Sequence, residues 1–215
     1  MESTNQLDRK YLIRNEILNA VTHGIGAIMS ITALVLLLMK SLETGQTLQI
    51  VSYSIYGGSL ILLYTASTLY HSFTFTKAKK VFQRIDHSSI FLLIAGTYTP
   101  YTLLVIQGTL GWLLTIFIWM IAIFGVLYKS IWFDKFKGLS LWIYIGMGWV
   151  AVFFLNSLYR GLGLQGFLWL IFGGLSFSVG AIFYKMKHVH YMHVVWHLFV
   201  LLGTICMFFS IYLYT

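Results

Sequence analysis

Apolar residues along this chain fall into long blocks separated by short polar breaks, a pattern unlike the alternation of strands or the one-sided stripe of a water-soluble helix. Crossing a hydrocarbon core takes about 20 apolar residues. Seven blocks meet that requirement: Ile17 to Met39, Leu48 to His71, Ile85 to Ile106, Leu110 to Tyr128, Leu139 to Tyr159, Leu164 to Tyr184 and Met192 to Tyr214. The breaks carry turn-forming and charged residues, among them Glu43 to Gln46, Lys77 to Lys80, Gln107 to Thr109, Phe133 to Gly138 and Lys185 to His190. The pattern therefore predicts an all-α fold. A short cytoplasmic segment (1–16) precedes a seven-helix transmembrane bundle (17–215), and the single proline, Pro100, is expected to kink the third helix.

Composition supports a membrane solvent. Hydrophobic residues make up 59% of the 215 residues and charged residues 9%, with mean hydropathy +0.82, whereas a soluble domain carries roughly 25% charged residues. The formal net charge of +8 would suggest nucleic acid on a soluble protein. Sorted by the breaks, it is instead an orientation signal, and no nucleic-acid partner is expected. Arg9, Lys10, Arg14, Lys77, Lys79, Lys80, Arg84, Lys129, Lys135, Lys137, Lys185 and Lys187 all fall on one side, and only Lys40 and Arg160 on the other. That bias places the N-terminus in the cytoplasm and the C-terminus outside. No secretory signal peptide is expected, because the first 16 residues are polar and the apolar block after them is too long for a signal core. The single cysteine, Cys206, excludes an internal disulfide and a cysteine-based zinc site, and reads as a small core residue.

Ionisable side chains inside a bilayer are costly, about 2.5–3.5 kcal/mol at mid-helix on insertion scales, so their positions are informative. Glu16 and His23 open the first block, His71 closes the second, Asp86 and His87 open the third, and His193 and His197 open the seventh. All lie near the same membrane face. His193 and His197, at i and i+4, share a helix face and can share a metal ion. A third imidazole from another helix would complete a three-histidine site. Zinc is the leading metal for such a set, with a fourth position for a water whose pKa it lowers to about 7. Asp86 then orients or deprotonates that water, and Ser67, one turn deeper than His71, hydrogen-bonds to it or to a substrate oxygen. Plainer readings stand beside these. Asp86 serves equally as the N-cap of the third helix, and Ser67 can bond its own i−4 carbonyl. His188 and His190 read as solvated surface, and His87, about 100° around the helix from Asp86, as interfacial.

Three blocks in order carry a resemblance: Glu16-x-x-Asn19-x-x-Thr22-His23-Gly24; Ser67-x-x-x-His71 with Asp86-His87-Ser88 and Gly96-Thr97-Tyr98-Thr99-Pro100; and His193-x-x-x-His197. The whole chain resembles the bacterial hemolysin III-type proteins of the progestin and adipoQ receptor family, within the superfamily that includes alkaline ceramidases. The resemblance implies zinc bound by His71, His193 and His197, with Asp86 near the zinc-bound water and Ser67 beside it. It also implies hydrolysis of a ceramide-like lipid amide or an ester. Glu16, Asn19, His23 and His87 would form a polar shell. The chain lacks the receptors' long N-terminal cytoplasmic domain, so a hormone-receptor function does not carry over. Three functions stay open: a zinc-dependent lipid amidohydrolase of the bacterial cell membrane, a sensor or regulator with structural zinc, and a cytolysin or pore. The last is disfavoured by the absence of an export signal and of charges lining the helices.

Overall fold

The computed structural model describes residues 2–131, 138–186 and 188–215, and the described residues are helical with no strand. The break predicted at Phe133 to Gly138, with Lys135 and Lys137, lies outside them except for Gly138, as does Lys187. Helix α1 (Glu2–Thr44) has 43 residues. At 1.5 Å per residue that is about 65 Å, twice the thickness of a hydrocarbon core, so α1 extends well beyond its apolar block. Helices α2 (Thr47–Ser72) and α3 (Lys79–Pro100) follow. Chain order then gives a π-helical stretch (Tyr101–Ile106), α4 (Gly108–Ile131), α5 (Leu139–Trp149), a 3-10 stretch (Val150–Phe154), α6 (Leu155–Lys185) and α7 (Met192–Tyr214).

Two features depart from the sequence reading. Among the described residues, six stretches are long and apolar enough to cross a membrane, because Leu139–Lys185 runs as one helical path of 47 residues. Within that path Gly163 has φ 67° and ψ 176°, a conformation open to glycine and strained for other residues. The second departure is α3, which begins at Lys79 with Ala78 before it, two turns earlier than the apolar block. Asp86 is therefore an interior helical residue and not an N-cap. Pro100 keeps helical angles (φ −65°, ψ −36°), and the switch to π-helical register follows it directly. A missing backbone donor at proline accounts for that register change.

Neighbouring helices pack in chain order, α1 on α2, α2 on α3, α3 on α4 and α6 on α7, and α7 returns to α1. That return brings the first and last apolar blocks side by side. The main core is built on buried Tyr53, Tyr56, Leu60, Leu63 and Tyr64 of α2 with Val200, Met207 and Ile211 of α7. A second cluster joins Phe91 and Ala95 of α3, Ile118 and Ala122 of α4, and Met147 of α5. Helix α4 shows how such contacts arise in lipid. It exposes Leu113, Phe117, Met120, Phe124 and Leu127, and buries a stripe of Gly111, Ile118, Ala122 and Gly125. Small residues permit close helix approach where lipid offers no hydrophobic driving force. At Gly125 a Cβ would come 2.5 Å from the ring of Phe91, which is itself fully buried. Gly125→Ala is therefore expected to cost about 1–3 kcal/mol by overpacking. A thermal melt should show the loss, and pairing it with Phe91→Leu should recover part of it.

Candidate metal centre

Helices α2 and α7 bring three imidazoles together. His71 stands in the last turn of α2, and His193 and His197 stand one turn apart in the first two turns of α7. Each offers a nitrogen, and these atoms all lie within 4.8 Å of one another. Ring centroids are separated by 4.7 Å (His193–His197), 5.0 Å (His71–His197) and 5.2 Å (His71–His193). His71 and His197 are buried and His193 is half-buried.

Helix α1 sets the ring orientations. Glu16 Oε2 lies 2.6 Å from His71 Nδ1. An ionised carboxylate only accepts, so Nδ1 carries the proton and donates it, leaving the lone pair on Nε2. That Nε2 is buried with no hydrogen-bond partner. A buried nitrogen of that kind fits a metal ligand, because an unsatisfied buried acceptor is otherwise costly. Thr74 donates from Oγ1 to the same Glu16 oxygen at 3.2 Å. On the second ring, His197 Nδ1 lies 3.3 Å from the carbonyl of Asn19, which again assigns the proton to Nδ1. The hydroxyl of Thr22 lies 3.4 Å from that nitrogen. Two of the three imidazoles thus hold their Nε2 lone pairs toward the cluster through bonds to α1. The three nitrogens can hold one divalent ion with a coordination position left over.

The remaining candidates take distinct places. His23 stacks on His197 at 3.5 Å with rings 12° apart, and meets Tyr64 edge-on at 5.0 Å. It is buried, and both its nitrogens are without hydrogen-bond partners. Asn19 is fully buried and reaches the site through its backbone, while its side-chain amide has no partner. Asp86 and Ser67 are both buried and line the same space. Ser67 makes no hydrogen bond of full geometry, so the i−4 carbonyl is not its partner. His87 faces the same space, and its backbone carbonyl accepts from the Tyr144 hydroxyl at 2.7 Å. His188 and His190 are exposed, and Cys206 is buried in α7, both as the sequence suggested.

These groups border a cavity of about 240 Å³. Its polar lining includes Ser67, Asp86, His193 and His197. From there the lining follows α3 and the π-helical stretch to Ile106, and α7 to Met207, so the space runs along the bundle with its ionisable groups at one end. Elsewhere its walls are mainly apolar, including Leu141 and Ile145 of α5 and Leu170 and Ile171 of α6, with Thr97, Thr102 and Ser178 among them.

Two participants escaped the sequence reading. Thr74 lies in a polar break with no mark of its role except its position three residues after His71. Thr22 stood inside the first motif block without an assigned task.

The chain is similar in sequence to several known proteins. The model of the family described as "Haemolysin-III related" matches residues 11–208. The "Hemolysin-3 homolog" of Bacillus subtilis (strain 168) is 44% identical over 204 residues, 95% of this chain and 96% of that protein. "Hemolysin-3" of Bacillus cereus is 45% identical over 202 residues, 94% and 92% of the two chains. The human "Monocyte to macrophage differentiation factor" is 30% identical over 166 residues, 74% of this chain and 68% of the relative.

Removing the outer carboxylate tests the arrangement. Glu16→Gln, which keeps the side-chain shape, should weaken metal binding about 10–100-fold, the usual effect of losing a partner behind a ligand histidine. Isothermal titration of metal-stripped protein measures this, and circular dichroism should show unchanged helix content.

Proposed function

This chain belongs to the haemolysin-III-related family, and on that premise we propose that it is a zinc-dependent hydrolase of a membrane lipid amide or ester. The observation that carries the reading is the three-imidazole cluster beside Asp86 and Ser67, at the polar end of an otherwise mainly apolar cavity. Zinc suits a donor set of three neutral imidazoles, held by His71, His193 and His197. When bound it supplies Lewis-acid polarisation of a carbonyl and an acidified water. The chain's own residues supply the rest. Glu16 and the Asn19 carbonyl hold the rings of His71 and His197 in one tautomer. Asp86 takes the proton released as water attacks and passes it to the leaving amine or alcohol. Ser67, which lines the cavity beside Asp86, donates to the substrate oxygen. The apolar walls take the acyl chain and exclude bulk water, which strengthens each of these interactions.

The same proposal includes the topology. The glycine conformation at Gly163 divides the 47-residue path into two crossings, since at 1.5 Å per residue it would measure about 70 Å. The bundle then has seven spans. The basic bias puts the N-terminus and the histidine cluster on the cytoplasmic side of the cell membrane, with the C-terminus outside.

A second reading is a membrane sensor or regulator with structural zinc. It is favoured by one observation: the ligands come from α2 and α7 and their orienting groups from α1, so a metal ties three helices together. A cytolytic pore, suggested by the names of the bacterial relatives, finds no support in the mainly apolar walls of the cavity.

Purified protein, wild type and variants, separates the two. His71→Ala and His193→Ala should lose the metal. Asp86→Asn should keep it while fatty-acid release falls about 10²–10⁴-fold, the range for a lost general acid–base group. Metal-loaded wild type that releases no fatty acid from any amide or ester lipid would leave the regulator reading in place.

A further inference from the structure

Helix α3 has two polar faces, and only one of them looks into the central cavity. Asp86, His87, Ile90 and Leu93 line that cavity. Arg84, Ile85, Ser88, Ser89 and Leu92 line a separate groove of about 320 Å³ on the other side, closed by Leu62 of α2 and by Val126 and Ser130 of α4. We propose that this groove binds the phosphate of an anionic glycerophospholipid, with Arg84 and Ser88 as the headgroup ligands and Leu62, Leu92 and Val126 along one acyl chain.

Ser88 is the observation that points to a ligand. It is 8% exposed and lines the groove, yet its hydroxyl has no hydrogen-bond partner among the described residues. The other groove hydroxyls are engaged: Ser89 donates to the carbonyl of Asp86 at 2.6 Å and Ser130 to that of Val126 at 2.8 Å. Arg84 stands four residues before Ser88, so both project from one helix face. It is exposed and makes no ion pair or hydrogen bond among the described residues.

Charge selects the class of ligand. From Ser72 to Ile85 the chain carries Lys77, Lys79, Lys80 and Arg84 and no acidic residue. The N-terminus of α3 lies in the same stretch, with no side-chain cap and no acid in its first turn, so its helix dipole adds to the positive field. A guanidinium fork matches a phosphate. Basic residues beside a membrane-spanning helix recognise anionic headgroups through this field. Below the headgroup the groove turns apolar within two helical turns, from Arg84 to Leu92, which matches a molecule with a charged head and a hydrocarbon tail. That gradient distinguishes a phospholipid from free phosphate.

Native mass spectrometry of the full chain, released from micelles containing equal phosphatidylglycerol and diacylglycerol, which lacks the phosphate, tests the assignment. Wild type should retain phosphatidylglycerol about tenfold over diacylglycerol, the scale of one charge-assisted hydrogen bond. Arg84→Gln should abolish that preference, and Ser88→Leu, which fills the groove without changing charge, should do the same. Lys77→Gln should keep it. Glycerol 3-phosphate at equal concentration should not displace the lipid. Equal retention of the two lipids, an unchanged preference in Arg84→Gln or in Ser88→Leu, loss of preference in Lys77→Gln, or displacement by glycerol 3-phosphate would each overturn the site. If Arg84→Gln does not fold, Ser88→Leu and Lys77→Gln still decide the outcome.

Discussion

A carboxylate held against an imidazole inside an apolar bundle is the contact on which the rest of this site depends. Glu16 and His71 come from the first two helices, and their 2.6 Å contact fixes which nitrogen of His71 faces inward. Because α1 also carries the Asn19 carbonyl against His197, one helix governs two of the three rings. Neither acceptor is a metal ligand, yet each decides whether a ligand presents a lone pair or a hydrogen. The position of α1 between α2 and α7 is thus a chemical requirement as well as a packing solution.

The parts of this arrangement that follow from spacing were legible in the sequence. His193 and His197 sit at the interval that stacks residues on one helix face, and the cost of ionisable groups in lipid drew His71 and Asp86 to the same depth. Membrane character was legible from the scarcity of charge alone. Other parts were hidden for physical reasons. The start of α3 at Lys79 was missed because its first turns are polar and carry no cap, so the apolar block begins two turns late. Asn19 acts through a backbone carbonyl, which its side-chain chemistry does not announce. The stacking of His23 on His197 depends on how closely α1 approaches α7, and no one-dimensional pattern records that distance.

Helix α3 joins inner chemistry to the outer surface. Asp86 faces the cavity, while Arg84 and Ser88, two residues to either side, face the groove. An α-helix makes this unavoidable, since a step of two residues turns the side chain by about 200°. One stretch of five residues therefore serves two compartments of different polarity. A rotation of α3 about its axis would disturb both, and the packing of Phe91 over Gly125 opposes such a rotation.

The order in which the chain is made gives the contact between α1 and α7 a further meaning. Asn19 and His23 enter the bilayer with the first helix, whereas His193 and His197 emerge from the ribosome only with the last. Until then the polar stripe of α1 has no histidine of α7 to meet, and an unpaired polar stripe in hydrocarbon is unfavourable. Completion of the bundle and assembly of the three-histidine cluster are thus the same late event in synthesis. A nascent chain that stalls before Met192 contains His71 alone of the three, so the cluster distinguishes a finished protein from an unfinished one.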